Sequence, residues 1–274
     1  MTTDVRKSKE VTEGTFQSFA ELDSTLEAKC VKRKDIVSAK VICWDTKRNG
    51  LVVIFGKEIM GFIPKEHISI YPSYDRGGVP SEATYIIGKN IIAEVIDFNT
   101  NKKEFTLSRH NLMKKRIEEI KVDDEITTCV TQVREKDIFV DVGFGVWGRV
   151  NCQEISSCYF DDMAYFGYHE GYLITLKVVD IVDNKFNLSR KRLYTQNDIS
   201  TFNYGDVVEG RLLSELTTPE ATREYPYVYC VEVGDNPNLK GILDSNIPLS
   251  RGIIASLKIK SVTARGLRLR LASI

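Results

Sequence analysis

One pattern recurs three times along the chain and constrains its fold more than any other feature. Residues 140–156 read VDVGFGVWGRVNCQEIS, residues 51–69 read LVVIFGKEIMGFIPKEHIS, and residues 228–244 give a weaker echo, VYCVEVGDNPNLKGILD. Each copy is a short strand, a glycine-containing turn and a second short strand. Upstream, each unit begins with a polar turn and a valine- or isoleucine-rich strand, at Asp35, Asp124 and Gly205. Downstream, the first two units end on Leu-Ser-Arg, at 107–109 and 188–190, and the third closes with LRLRL at 267–271. A unit of roughly eighty to ninety residues is long enough to close its own small core, so the repetition indicates tandem domains.

Within the central copy the apolar residues alternate. Ile138, Val140, Val142 and Val150 fall on one face, while Phe139 meets Trp147, Arg149 and Asn151 on the other, the period-two signature of half-buried strands. Gly143, Gly145 and Gly148 are expected to allow the tight return at positive φ. The exposed face then carries flat rings, a guanidinium and an amide. Unit one reads as five strands, at 35–44, 51–55, 60–64, 90–98 and 103–109, with a long connection between the third and fourth. That is the plan of the OB barrel.

The expected fold class is therefore all-β: three tandem five-stranded OB-fold barrels joined by short helical or polar linkers. The divisions are a tail at 1–34, barrels at 35–109, 122–192 and 203–274, a helical linker at 110–121 and a polar linker at 193–202. In the tail, Phe16, Phe19, Leu22 and Leu26 have near-helical spacing, for a short helix that packs on the first barrel or docks a partner. Pro64 lacks a backbone donor and belongs at a strand end or edge.

Charge places a limit on function. With 38 basic and 38 acidic side chains the net charge is zero, so a globally basic nucleic-acid binder is excluded. Any phosphate binding must come from a local face and be sensitive to salt. The opening residues carry no apolar core and no apolar run is long enough to span a bilayer, so the expectation is a cytoplasmic protein without membrane association. The six cysteines form no C-x-x-C pair and are expected to be reduced and mostly buried.

The order of a polar start, Phe-Val-Asp-Val, glycine, Gly-x-Val-x-x-x-Glu-Ile-Ser, then Val-x-Asp and Leu-Ser-Arg resembles the RNA-binding S-one motif, named for the largest protein of the bacterial small ribosomal subunit. The resemblance spans 35–192, and more weakly 203–274. It implies single-stranded RNA on the second and third strands, held by two aromatics, a histidine, and a later aspartate and arginine. In unit two these positions are Lys136, Phe139, Asn151, Asp183 and Lys185, with Trp147 and Arg149 beside Phe139 to supply the missing stack and charge. Unit one departs further: its aromatic positions are Asn49 and Val52, and Pro64 replaces the histidine. Its Gly-Phe-Ile-Pro is similar to the leading domains of the ribosomal protein, which implies docking through Phe62 and Pro64, together with Phe16 and Phe19. Unit three offers Tyr227 and Tyr229 near the first aromatic position. Lys258, Lys260, Arg265, Arg268 and Arg270 on its last hairpin serve either RNA or an edge that discourages sheet pairing.

Gly143–Gly148 matches G-x-G-x-x-G in letters only, since a strand follows it where a dinucleotide site needs a helix. The three histidines lie in different contexts without ligand or triad spacing. The expectation is a non-enzymatic protein without metal, cofactor or small-molecule substrate, binding single-stranded mRNA at the small ribosomal subunit. The alternatives are a protein-binding scaffold of OB barrels, or an RNA-processing or regulatory factor using the same modules.

Overall fold

The computed structural model describes residues 27–71, 75–76, 79–194, 199–216, 224–234, 236–263 and 266–272. Residues 16–26 of the helix expected near 16–28, with Phe16 and Phe19, lie outside them, as do Arg265 and most of the loop from Thr217. Barrel one comprises β1 (Ile36–Asp45), β2 (Gly50–Phe55) and β3 (Ile59–Pro64). A connection follows with a two-residue ladder, β4 (Asp75–Arg76) and β5 (Val79–Pro80), and the helix α1 (Ser81–Ile86). The barrel is completed by β6 (Asn90–Asn99) and β7 (Glu104–Ser108). After α2 (His110–Glu119), barrel two comprises β8 (Glu125–Val133), β9 (Asp137–Asp141), β10 (Trp147–Asn151), the short α3 (Cys152–Ile155), β11 (Leu173–Val182) and β12 (Lys185–Ser189). Barrel three is β13 (Val207–Glu215), β14 (Tyr227–Val233), β15 (Lys240–Ser245), β16 (Ile254–Thr263) and β17 (Gly266–Leu271). No described helix is long and apolar enough to cross a membrane.

All three sheets close in the same way. The strands neighbour one another in the order first, second, third, fifth, fourth, and the fourth returns to the first. The third and fifth strands run parallel, at Gly61–Phe105, Gly148–Phe186 and Gly241–Leu267, and the other pairings are antiparallel. The first and fourth strands each slip register once, at Val41/Cys43 and Val95/Asp97, Val130/Gln132 and Val178/Asp180, and Leu212/Ser214 and Ile259/Ser261. Such bulges add the bend and twist that let so few strands close. The expected all-β architecture of three five-stranded barrels is thus what the chain forms.

The glycines of the central copy divide into two kinds. Gly143 and Gly145 have φ of 130° and 85°, as the turn requires. Gly148 does not share this role. A Cβ there would lie 2.7–2.9 Å from Leu188, Val140 and Val142, so this glycine is needed for space at the parallel crossing. Gly61 and Gly241 meet the same crowding from Leu107 and Leu269.

The Leu-Ser-Arg triplets also have a second role. Their leucines and serines are buried, and their arginines reach into the junction with the next barrel. The Arg109 side chain is 1% exposed, with Nη1 3.6 Å from Glu82 and Nη2 donating to the Phe144 carbonyl at 3.3 Å. Arg190 donates from Nη1 to Glu232 of barrel three at 2.8 Å, and Glu232 is 2% exposed. Leu213 and Cys230 of barrel three pack onto the core of barrel two, as do Met113 and Ile120 at the α2 linker. In the connection from α3 to β11, Phe160 and Phe166 are buried in that core, whereas Tyr159 is exposed. All six cysteines are free, but only Cys129, Cys158 and Cys230 are buried. Cys30 lies in an exposed 3-10 turn and Cys43 faces outward after the β1 bulge, which corrects the expectation that most are buried.

Gly148→Ala is expected to cost about 1–3 kcal/mol of stability through overpacking, read by denaturant unfolding; an unchanged midpoint would contradict the crowding. Arg190→Ala leaves a buried carboxylate without its cation and should cost about 3–5 kcal/mol. A loss below about 1 kcal/mol in the same assay would show that the junction relaxes around Glu232.

Candidate nucleic-acid interface

The face singled out in the sequence is built by β9 and β10. Their register sets Trp147 opposite Asp141, Arg149 opposite Phe139 and Asn151 opposite Asp137. Ile138, Val140 and Val150 are buried, which turns the intervening residues outward. The connecting turn is held by one carboxylate: Asp141 Oδ1 accepts from the Gly143 amide at 2.7 Å and the Gly145 amide at 3.1 Å. These bonds keep Phe144 at a φ of 57°, a conformation that non-glycine residues adopt only under constraint.

Trp147 is 48% exposed, the largest open ring on this face. Phe139 is partly covered, because the Arg134 guanidinium lies 4.8 Å above its ring centroid. Arg149 is bidentate on Asp137, with Nε and Nη2 donating at 2.9 and 3.0 Å. Burial opposes ionisation of Asp137, but the bonds from Arg149 and Asn151 outweigh it and hold the carboxyl below its ordinary range. Asn151 has a structural task as well: its Oδ1 accepts from the Gln153 amide at 3.1 Å as the N-cap of α3. Lys136 is exposed at the β8–β9 end. Asp183 and Lys185 are exposed on the β11–β12 hairpin, where Asp183 and Asn184 have φ of 50° and 62°. Lys185 precedes the Gly148–Phe186 pairing by one residue, which puts it beside Trp147. Lys136, Phe139, Trp147, Arg149, Asn151, Asp183 and Lys185 therefore share one side of barrel two.

The remaining sequence candidates lie elsewhere. Tyr229 is 1% exposed, and its hydroxyl accepts from the Leu249 amide at 2.8 Å, so it belongs to the core of barrel three and not to its surface. Tyr227 is partly buried against that core. Lys258 pairs in register with Arg270. Lys260 and Arg268 approach the same carboxylate, Asp244, at 3.9 and 3.5 Å. In barrel one, Phe62 occupies the position of Arg149, and Arg48 covers it at 4.3 Å from the ring centroid while bonding Asp45 and Glu104. Pro64 ends β3, opposite Gly50.

The sequence reading missed what barrel one contributes. The Tyr71 hydroxyl accepts from the Trp147 amide and donates to the Asn184 carbonyl, both at 2.9 Å, and its ring lies 5.5 Å from the Trp147 ring. Burial pushes the Tyr71 hydroxyl well above its ordinary pKa, so it remains a neutral donor. Beyond Trp147 a cleft of about 240 Å³ opens between α1 and barrel two, lined by Glu82, Tyr85, Arg109, Gln132, Phe139 and Trp147 among others. The nearest sequence signal was the length of the β3–β6 connection: Ile68, Ala83 and Ile86 pack it into the core of barrel one, and Tyr71 is the residue it sends across to barrel two.

No protein-family model matches the sequence, and no curated protein matches it. Solved structures similar to this chain include an a/eIF2alpha–aDim2p–rRNA complex from Pyrococcus horikoshii, at 16% identity and TM-score 0.26, covering 30% of this chain and 51% of that one. A multidomain protein with nucleic acid binding domains from Streptococcus pneumoniae matches at 12% identity and TM-score 0.30, over 87% of this chain and 73% of that one. GSP13 from Bacillus subtilis matches at 20% identity and TM-score 0.26, over 29% and 63%. The chain thus spans about half of the first of these proteins.

The Asp137–Arg149 pair yields a measurable consequence. Because the folded pKa of Asp137 is depressed, its contribution to stability is present above about 3.9 and lost as pH falls through the lower folded value. Arg149→Ala should raise the Asp137 carboxyl toward that unfolded value in an NMR titration. If the pKa does not move, the bidentate pair is not held in solution.

Proposed function

We propose that this is a non-enzymatic RNA-binding protein that holds single-stranded RNA across β9 and β10 of its second barrel, without cofactor. The observation that carries this reading is the shared outward face of Trp147 and Phe139, flanked by Arg134, Lys136, Arg149 and Lys185. Every base has a π-face, so exposed rings bind single strands with little regard to sequence, while flanking cations hold the phosphates. The turn glycines and the Asp141 bonds fix the spacing of the two strands, so the rings are presented on a rigid element. The motif order resembling the S-one family supports the finer reading: a cytoplasmic protein of translation that holds mRNA at the small ribosomal subunit. Barrel one docks in that reading, since Arg48 and its two carboxylates close its equivalent face. The competing reading is a protein-binding scaffold, favoured by the capture of Arg149 by Asp137 and of Lys260 and Arg268 by Asp244.

Fluorescence anisotropy with labelled octauridine tests the proposal. Trp147→Ala and Phe139→Ala should each weaken binding by about 1–3 kcal/mol, with the Trp147 variant melting close to the parent because its ring is half exposed. Affinity should fall steeply with salt. Failure of the parent protein to bind octauridine at low salt would leave the scaffold reading. Co-sedimentation with small subunits, released by nuclease, tests the translational role.

A further inference from the structure

We propose that the cleft between α1 and barrel two is a guanine-binding pocket that takes one base of the RNA strand lying across β9 and β10. This inference rests on the RNA-binding reading and adds base selectivity to the same face. The volume of about 240 Å³ falls below the 300–1,000 Å³ typical of pockets for drug-sized ligands, so the cleft suits a single ring system. Phe139 and Trp147 form one wall and Tyr85 and Ile86 of α1 the other, which is the lining a flat base requires. The cleft opens directly beside the exposed Trp147 ring, so a strand stacked there can turn one base inward without leaving the face.

Selectivity comes from the Glu82 carboxylate. Its side chain is 12% exposed; burial pushes its carboxyl above the ordinary range, against the opposing pull of Arg109 and of the Ser69 hydroxyl, which bonds it. A carboxylate accepts about four hydrogen bonds in all, so acceptor capacity remains toward the cleft. Guanine presents two adjacent donors, N1–H and the 2-amino group, that match the two oxygens of a carboxylate. Adenine and cytosine set a ring-nitrogen acceptor beside their single amino donor, and uracil sets its one N–H between two carbonyls. Each therefore turns at least one lone pair toward Glu82. Gln132 lines the cleft, and with its Oε1 accepting from Arg134 at 3.1 Å its amide nitrogen is the group left to donate to the guanine O6. Arg134 also lines it and is exposed, and the Lys89 ammonium lies 3.8 Å above the Tyr85 ring, so cations flank the entrance for the adjoining phosphates.

The full-length protein would be titrated by anisotropy with octauridine and with the same strand carrying one central guanosine, adenosine, cytidine or inosine. Central guanosine should tighten binding about tenfold over adenosine, the scale of a charge-assisted hydrogen bond. Inosine, which lacks only the 2-amino group, should lose most of that gain. Glu82→Gln should abolish the guanosine preference, read as the ratio of guanosine-strand to adenosine-strand affinity so that any change in overall strand binding from the altered Arg109 pair cancels. If that variant unfolds, the inosine series on the parent protein decides alone. Competition by free guanosine 5′-monophosphate, absent in Glu82→Gln, would assign the pocket to guanine as a free nucleotide if the strands show no preference. Equal affinity for all four central bases together with no monophosphate binding overturns the pocket and leaves the RNA-binding reading standing. If octauridine itself fails to bind, that broader reading falls, and the monophosphate arm still decides the pocket.

Discussion

Each barrel depends on a close approach between its third and fifth strands. These two run parallel, and where they cross the interior has no room for a side chain: a Cβ at Gly61, Gly148 or Gly241 would lie within 2.9 Å of the leucine or its neighbours across the crossing. The glycine closes the barrel there, and closure sets the direction of everything that follows. In barrel two the residues on either side of Gly148 are Trp147 and Arg149, so the residue that permits closure also forces these two side chains outward. The candidate interface is in this sense a consequence of core packing.

The junctions use a second repeated device. The arginine that ends each Leu-Ser-Arg triplet lies at the junction at the same point in the repeat and meets a carboxylate there. Arg109 meets Glu82, which belongs to its own barrel, and Arg190 meets Glu232 across the junction. Burial lowers the Arg109 pKa, and nearby carboxylates oppose that shift, so the pair is held by mutual need more than by net gain. Buried pairs of this kind contribute little stability against an apolar alternative, but they penalise misalignment heavily. They are suited to fixing the angle between neighbours.

The fold was legible because period-two alternation survives in nearly every strand, and because the unit is repeated: a pattern ambiguous in barrel three is read from its copies. The outward face of Phe139, Trp147 and Arg149 followed from the same alternation. What alternation cannot show is what covers an outward residue. Arg134 lies over Phe139 and Asp137 holds Arg149, and both arrangements depend on rotamers. It also cannot separate a glycine kept for its φ from one kept for its lack of volume, so Gly148 was grouped with Gly143 and Gly145. Tyr229 is different: it alternates in phase with the core residues Val231 and Val233, so parity itself puts it inward, and the Leu249 amide takes its hydroxyl there. Tyr71 was least legible of all, since its partners Trp147 and Asn184 lie in a different repeat.

Tyr71 has a consequence for how the chain behaves as a whole. It reaches from barrel one to bond the backbone of Trp147 and pack on its ring, so part of the second barrel's outer surface is supplied by the first. A ligand resting on Trp147 therefore senses whether barrel one is seated. By thermodynamic reciprocity, any preference of that ligand for the seated arrangement is returned as an equal tightening of the two barrels. The repeat is modular in its covalent pattern but not in its energetics: an excised second barrel would present the same sequence with a different affinity.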